Sequence, residues 1–185
     1  MTSTPIAPLR RSILVPWAQE AAFRRFTAEI GTWWPLRSHS VGGERSETVI
    51  FEGRVGGRLY ERIRGGEEST WGTVTAWEPP ARVVFTWHPG RAAELEQEIE
   101  LRFIPQGGGT RLELTHSGWE KLGALGPKAR RGYRIGWAYV LRLYADRKSS
   151  PVVWGLDGLM WALQPLQRRM ARRAQAMSES GSAAR

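Results

Sequence analysis

Residues 94–117 read ELEQEIELRFIPQGGGTRLELTHS, and this stretch decides the fold. Leu95, Ile99, Leu101 and Phe103 alternate with Glu96, Glu98, Glu100 and Arg102. A period of two gives a strand one dry and one wet face. Gly107, Gly108 and Gly109 follow, and glycine turns the chain through positive φ at no steric cost. Thr110–Ser117 then returns with Leu112, Leu114 and His116 on one face. The stretch predicts an antiparallel hairpin with His116 pointing inward.

The same punctuation extends upstream. Glu47–Arg54, Arg58–Arg64, Ser69–Trp77 and Arg82–His88 are short β-type segments. They are separated by Val55-Gly56-Gly57, Gly65-Gly66-Glu67 and Glu78-Pro79-Pro80. That spacing predicts a meander of about six strands, and Leu9–Pro16 adds one more. Between them, Trp17–Ile30 carries Ala21, Ala22, Phe23, Phe26 and Ile30 at helical spacing, with Gly31 as its expected C-cap. After the sheet a long helix is predicted from near Pro127. Tyr133, Trp137, Val140, Leu141 and Tyr144 form its apolar stripe, and Gly136 on the same side permits close approach to the sheet. Arg130, Arg131, Arg134, Arg142 and Arg147 keep its other side wet. The expected fold class is α+β: a curved antiparallel sheet of about seven strands wrapped around a long C-terminal helix. A bent sheet and a helix differ in curvature, so a cavity between them is expected.

Composition bounds the chemistry. The chain has 185 residues, enough for one domain with a full core. Its net charge of +9 is carried by the part beyond Glu120, while the body is nearly neutral. The body is therefore no nucleic-acid binder by composition. With no cysteine, disulfides, thiol nucleophiles and cysteine-held zinc are excluded. Asp occurs only at 146 and 157, and His only at 39, 88 and 116, which leaves neither a His-x3-His metal pair nor a convincing Ser-His-Asp set. Glu94, Glu96, Glu98 and Glu100, with Glu113 nearby, are a solvated outer face rather than a carboxylate pair. No catalytic residue, cofactor or metal is expected. There is no long uncharged apolar run and no secretory-type leader, so a cytoplasmic protein is expected. The ten tryptophans offer a large aromatic surface to line a cavity.

Four segments are expected. Residues 1–8 are a disordered N-terminus, 9–148 the domain, 149–177 an apolar then basic helical extension, and 178–185 a disordered tail. In the extension, Arg168, Arg169, Arg172 and Arg173 share one helical face. It either packs on the domain, a second copy or a protein partner, or rests on an anionic membrane surface.

Several short pieces, in order over residues 9–145, carry a family resemblance. They are Phe23 with Phe26-Thr27, Trp33-Trp34-Pro35, Gly56-Gly57-Arg58-Leu59-Tyr60-Glu61 and Trp71-Gly72-Thr73-Val74. Then come Glu78-Pro79-Pro80, Phe85-Thr86-Trp87, Gly109-Thr110-Arg111, His116-Ser117-Gly118-Trp119 and Gly136-Trp137. Together they resemble the SRPBCC (START-like) superfamily, nearest to its heat-shock-protein ATPase activator homologue (AHSA-type) family. The resemblance implies the helix-grip fold. It also implies a range of roles, among them co-chaperone-like domains, hydrophobic-ligand carriers and cyclases; fold alone does not choose between them.

The candidate ligand-binding residues are Trp33, Trp34, His39, Phe85, Trp87, Leu101, Leu114, His116, Tyr133, Trp137 and Leu141. Trp33 and Trp34 are either a lid over the cavity mouth or a plug for the end of the core. Trp71 and Trp77 share parity, as do Phe85 and Trp87; the more continuous set of Val83, Phe85 and Trp87 is placed inward. His116 either orients a ligand oxygen or is a neutral core histidine, and His39 is a candidate to meet it across the mouth. Tyr133 and Trp137, one turn apart, would roof the cavity. The expected function is binding of a small hydrophobic or amphipathic ligand without catalysis. The alternatives are an interaction module that uses the basic tail and a cavity-templated cyclase or hydrolase.

Overall fold

The computed structural model describes residues 5–145; the expected extension, the tail and Arg147 lie outside the described residues. The predicted hairpin forms as β6 (Gln97–Gln106) and β7 (Gly109–Ser117), in register with Leu101 opposite Leu114 and Ile99 opposite His116. The other strands are β1 (Leu9–Val15), β2 (Ser46–Phe51), β3 (Arg58–Ile63), β4 (Glu67–Glu78) and β5 (Arg82–Trp87). They make one antiparallel sheet in the order β1-β7-β6-β5-β4-β3-β2. Two helices complete the fold: α1 (Gln19–Phe26), and α2 (Gly126–Tyr144), which begins at the predicted proline and is covered by the sheet. This is the α+β helix-grip arrangement.

Rows of side chains cross the concave face. Val83, Leu101 and Leu114 stand side by side, as do Phe85, Ile99 and His116, all buried. On α2 the buried set is Gly126, Gly136, Trp137, Tyr139, Val140, Leu141, Leu143 and Tyr144, a wider face than the predicted stripe, of which Tyr133 is only half-buried. The sheet curls over it because β4 is bulged twice. Thr70 faces Tyr60 and Gly72 faces Leu59, so Trp71 is extra; Val74 faces Phe85 and Ala76 faces Val84, so Thr75 is extra. A bulge adds a residue, bends the strand and increases its twist.

The bulges correct one expectation. The two aromatic pairs are not on opposite faces. Trp71 packs on Trp87, and Trp77 on Phe23 and Phe51, so both pairs contribute to the interior. The first helix is also shorter than predicted. The Phe23 carbonyl accepts from both the N–H and the hydroxyl of Thr27, and the Glu29 N–H reaches back five residues to Arg24. The α-register ends there, and a 3-10 turn at Ile30–Thr32 takes over. Gly31 is consequently no C-cap. It lies inside that turn, where a Cβ would overlap Thr48 and the Val49 carbonyl of β2. Leu95, placed inward by alternation, is 39% exposed in a 3-10 turn (Ala93–Leu95) ahead of β6. The outer glutamates are wet as expected, and Glu100 pairs with Arg82 and Arg102. Of the N-terminal residues expected to be disordered, Ala7 and Pro8 are held against α2: both carbonyls accept from Arg130, at 2.7 and 3.1 Å.

Candidate functional site

The space between sheet and α2 is filled by rings. Trp34 meets Trp71 at 5.2 Å between centroids, and Trp87 and Trp137 at 6.1 Å each. Trp71 meets Trp87 at 5.7 Å, and Trp87 meets Trp137 at 5.6 Å. The expected standing void is closed by these four indoles, because side chains of that size span the mismatch in curvature that smaller residues would leave open. Hollows on the surface lie elsewhere. One of about 490 Å³ is lined by Ile6, Ala7, Pro127, Arg130, Arg131 and Arg134. Another, of about 480 Å³, lies beside the Gly107–Gly109 turn and Val15.

A polar network runs through the rings. The indole N–H of Trp137 donates to Nδ1 of His116 at 3.1 Å. Indole nitrogen only donates, so Nδ1 accepts and the proton of the neutral imidazole sits on Nε2. His116 is fully buried between Trp119, Tyr133 and Trp137, with ring centroids at 4.0, 4.9 and 6.2 Å. Burial, and secondarily the Arg91 cation, holds the imidazole well below its ordinary value. It stays neutral near pH 7 and is suited to donating a hydrogen bond rather than to taking a proton. Yet among the described residues Nε2 has no hydrogen-bond partner, and neither has the buried indole nitrogen of Trp71 or the side-chain oxygen of Gln97. Gln97 is the cross-strand neighbour of Trp87.

The unfolded chain takes up a proton at His116 as pH falls through about 6.5, while the folded chain resists it. Stability is lost below that pH. In denaturant titrations, the advantage of the wild-type chain over His116→Gln should shrink by up to ~1.4 kcal/mol per pH unit below ~6.5. A difference constant from pH 5 to 8 would show that the imidazole is not held neutral.

At the rim, the Tyr133 hydroxyl accepts from the Trp87 indole at 3.0 Å and from the Arg91 guanidinium at 2.7 Å. Among the predicted site residues, Trp34, Trp87, His116, Tyr133 and Trp137 are brought into one cluster. Trp33 touches it through Trp34, at 5.7 Å, but is otherwise a plug against Phe26 and Tyr144. Phe85 lies against Trp87 at 6.2 Å. Leu101, Leu114 and Leu141 are buried core.

His39 does not join His116. It stacks on Tyr139 at 5.2 Å, with Ser38 Oγ 2.9 Å from its Nδ1. At 100° per residue, the Gly136 and Tyr139 flank of α2 is turned away from the Tyr133 and Trp137 line. Gly136 therefore leaves room for His39, whose Nε2 lies 3.6 Å from where a Cβ would stand, and not for the sheet.

Residues 17–143 match the family described as "Activator of Hsp90 ATPase homolog 1-like protein". The chain belongs to this family. Among solved structures, this family member is 34% identical to an anthrahydroquino-γ-pyrone synthase, Txn09, complexed with SUM; the match covers 69% of this chain and 86% of that one, with a TM-score of 0.50. Protein MLL2253 from Mesorhizobium loti is 17% identical, covering 78% and 99% of the two chains, with a TM-score of 0.57. The Aha1 dimer from Colwellia psychrerythraea is 17% identical, covering 76% and 95%, with a TM-score of 0.55. The last two share the fold alone. No curated protein matches the chain. Among the described residues, no helix is long and apolar enough to cross a membrane.

Sequence reasoning missed Trp71, Arg91, Gln97 and Trp119. Gln97 had a legible signal, since it shares parity with Ile99 and Leu101 and is a polar residue on a dry face. Trp119 donates its indole hydrogen to the His116 carbonyl at 2.8 Å and closes the far side of the imidazole. Arg91 follows β5 in a loop that no period reveals.

Proposed function

We propose that this chain binds a flat amphipathic small molecule between the sheet and α2, within the cluster of Trp34, Trp71, Trp87 and Trp137. The observation that carries this reading is the set of buried polar atoms there that lack partners: His116 Nε2, Trp71 Nε1 and Gln97 Oε1. An unsatisfied buried donor or acceptor costs about 1–3 kcal/mol. A guest that inserts between the rings, offering oxygens to the His116 and Trp71 N–H groups and a hydroxyl hydrogen to Gln97 Oε1, relieves that cost while burying its own apolar surface. Of the four indoles, Trp34 alone stands outside the strands and α2, so its segment is the one that swings to admit a guest.

Titration calorimetry with 2-methylanthraquinone tests this. One site with a negative heat-capacity change is the expected result. Absence of saturable binding, together with native mass spectra of the extracted protein that carry no small molecule, would remove the proposal.

A second reading, a cyclase that holds a folded substrate in the same cluster, is supported by the 34% identity to the γ-pyrone synthase. In it, His116 would hold a carbonyl oxygen through Nε2–H. Turnover lost in a folded His116→Gln variant would favour this reading over plain binding.

A further inference from the structure

The polar groups of the ring cluster are nearly all of one kind. Among the described residues, His116 Nε2 and Trp71 Nε1 are buried donors without acceptors, and Gln97 Oε1 is an unpaired acceptor beside them. The Tyr133 hydroxyl already accepts two hydrogen bonds, from Trp87 and Arg91. Both lone pairs of its oxygen are thereby used, which leaves its own hydrogen to donate. Among the described residues no acceptor takes that hydrogen. Nor does Arg91 pair with a carboxylate there: its guanidinium end is fixed on the Tyr133 hydroxyl and lies 5.9 Å from the centre of that ring. This is unlike Arg24, Arg37, Arg45, Arg58 and Arg82, each bound to a glutamate. A half-buried cation without a counter-charge, next to a phenol with a free hydrogen, is what an ionised oxygen requires.

We infer that the guest of this cluster is an acidic, oxygen-rich aromatic molecule whose ionised oxygen is held at the rim by Arg91 and the Tyr133 hydroxyl, while its inner carbonyl oxygens face His116 and Trp71. The inference deepens the proposed function and rests on it. Arg91 supplies charge and Tyr133 direction. The donors inside select against guests that carry only apolar substituents, because such guests would leave the donors unpaired.

The test uses the intact chain and two probes of one skeleton, anthraquinone-2-carboxylate and neutral 2-methylanthraquinone, titrated calorimetrically at pH 7.5. The carboxylate should bind at least about tenfold tighter, the effect of a charge-assisted hydrogen bond. Arg91→Gln should abolish that preference, so that the two probes bind alike; Arg91→Lys should restore part of it. Tyr133→Phe should reduce it, and raised salt should weaken the carboxylate alone. Equal binding of both probes by the wild-type chain, or a preference unchanged in a folded Arg91→Gln variant, overturns the anion site and leaves the proposed function standing. Binding of neither probe overturns the anion site, and with native mass spectra that carry no small molecule it overturns both.

Discussion

A Trp137→Ala variant is expected to unfold with about 4 kcal/mol less free energy than the wild-type chain, the loss usual for truncating a buried Trp to Ala. Trp137 is 2% exposed and is the roof of the ring cluster, in contact with Trp34, Trp87 and His116. Its removal opens a void among rings held on three separate elements, which cannot all collapse inward. It also takes away the Trp137 indole donor to His116 Nδ1, so a further buried polar atom of the cluster loses its partner. Such a void should accept a guest of the same shape, since binding to the folded state alone stabilises it by mass action. Added indole should therefore raise the midpoint of Trp137→Ala in guanidinium and leave the wild-type midpoint in place. A loss under about 2 kcal/mol, or no response to indole, would mean that the ring is not packed as described.

Glu61→Ala should cost about 3 kcal/mol, although Glu61 touches none of the clustered rings. Its carboxylate is fully buried. It accepts from the Val41 and Gly42 N–H groups at 2.8 and 3.1 Å and from the Ser46 hydroxyl at 2.8 Å. The alanine variant would strand the Val41 and Gly42 donors in the loop that follows His39 and leave the Ser46 hydroxyl, at the start of β2, its contact with Ser40. Glu61→Gln keeps one acceptor oxygen and should lose only about half as much. Thermal unfolding of the two variants, together with hydrogen exchange at Val41 and Gly42, measures this. An alanine variant within about 0.5 kcal/mol of wild type would remove Glu61 as the anchor of that loop.

Glu61 also marks where the sequence stops being readable. In a strand of alternating pattern a glutamate reads as a wet residue, and nothing local reveals that a loop twenty residues earlier will turn its N–H groups onto it. The hairpin of β6 and β7 was legible because alternation and glycine punctuation agree there, and α2 because proline, stripe and arginines agree. The fate of Trp71 and Trp77 was not, because parity counting assumes an unbroken ladder and β4 has two extra residues. For the site, the sequence identified Trp34, Trp87, His116, Tyr133 and Trp137 by face and type. It placed His39 with them because a loop residue has no face to count. The closed interior escaped notice for a different reason: mismatch of curvature predicts a gap, but only side-chain volume in three dimensions says whether it stays empty.

The spacing of the indoles has an optical consequence. Trp33, Trp34, Trp71, Trp87 and Trp137 form a chain in which successive neighbours stand 5.2–5.7 Å apart: Trp33 and Trp34, Trp34 and Trp71, Trp71 and Trp87, and Trp87 and Trp137. Chromophores that close exchange excitation, so light absorbed by one is emitted by whichever lies lowest in energy. A coloured visitor touching any one of them would darken all five together, and the molecule carries its own occupancy gauge without a dye.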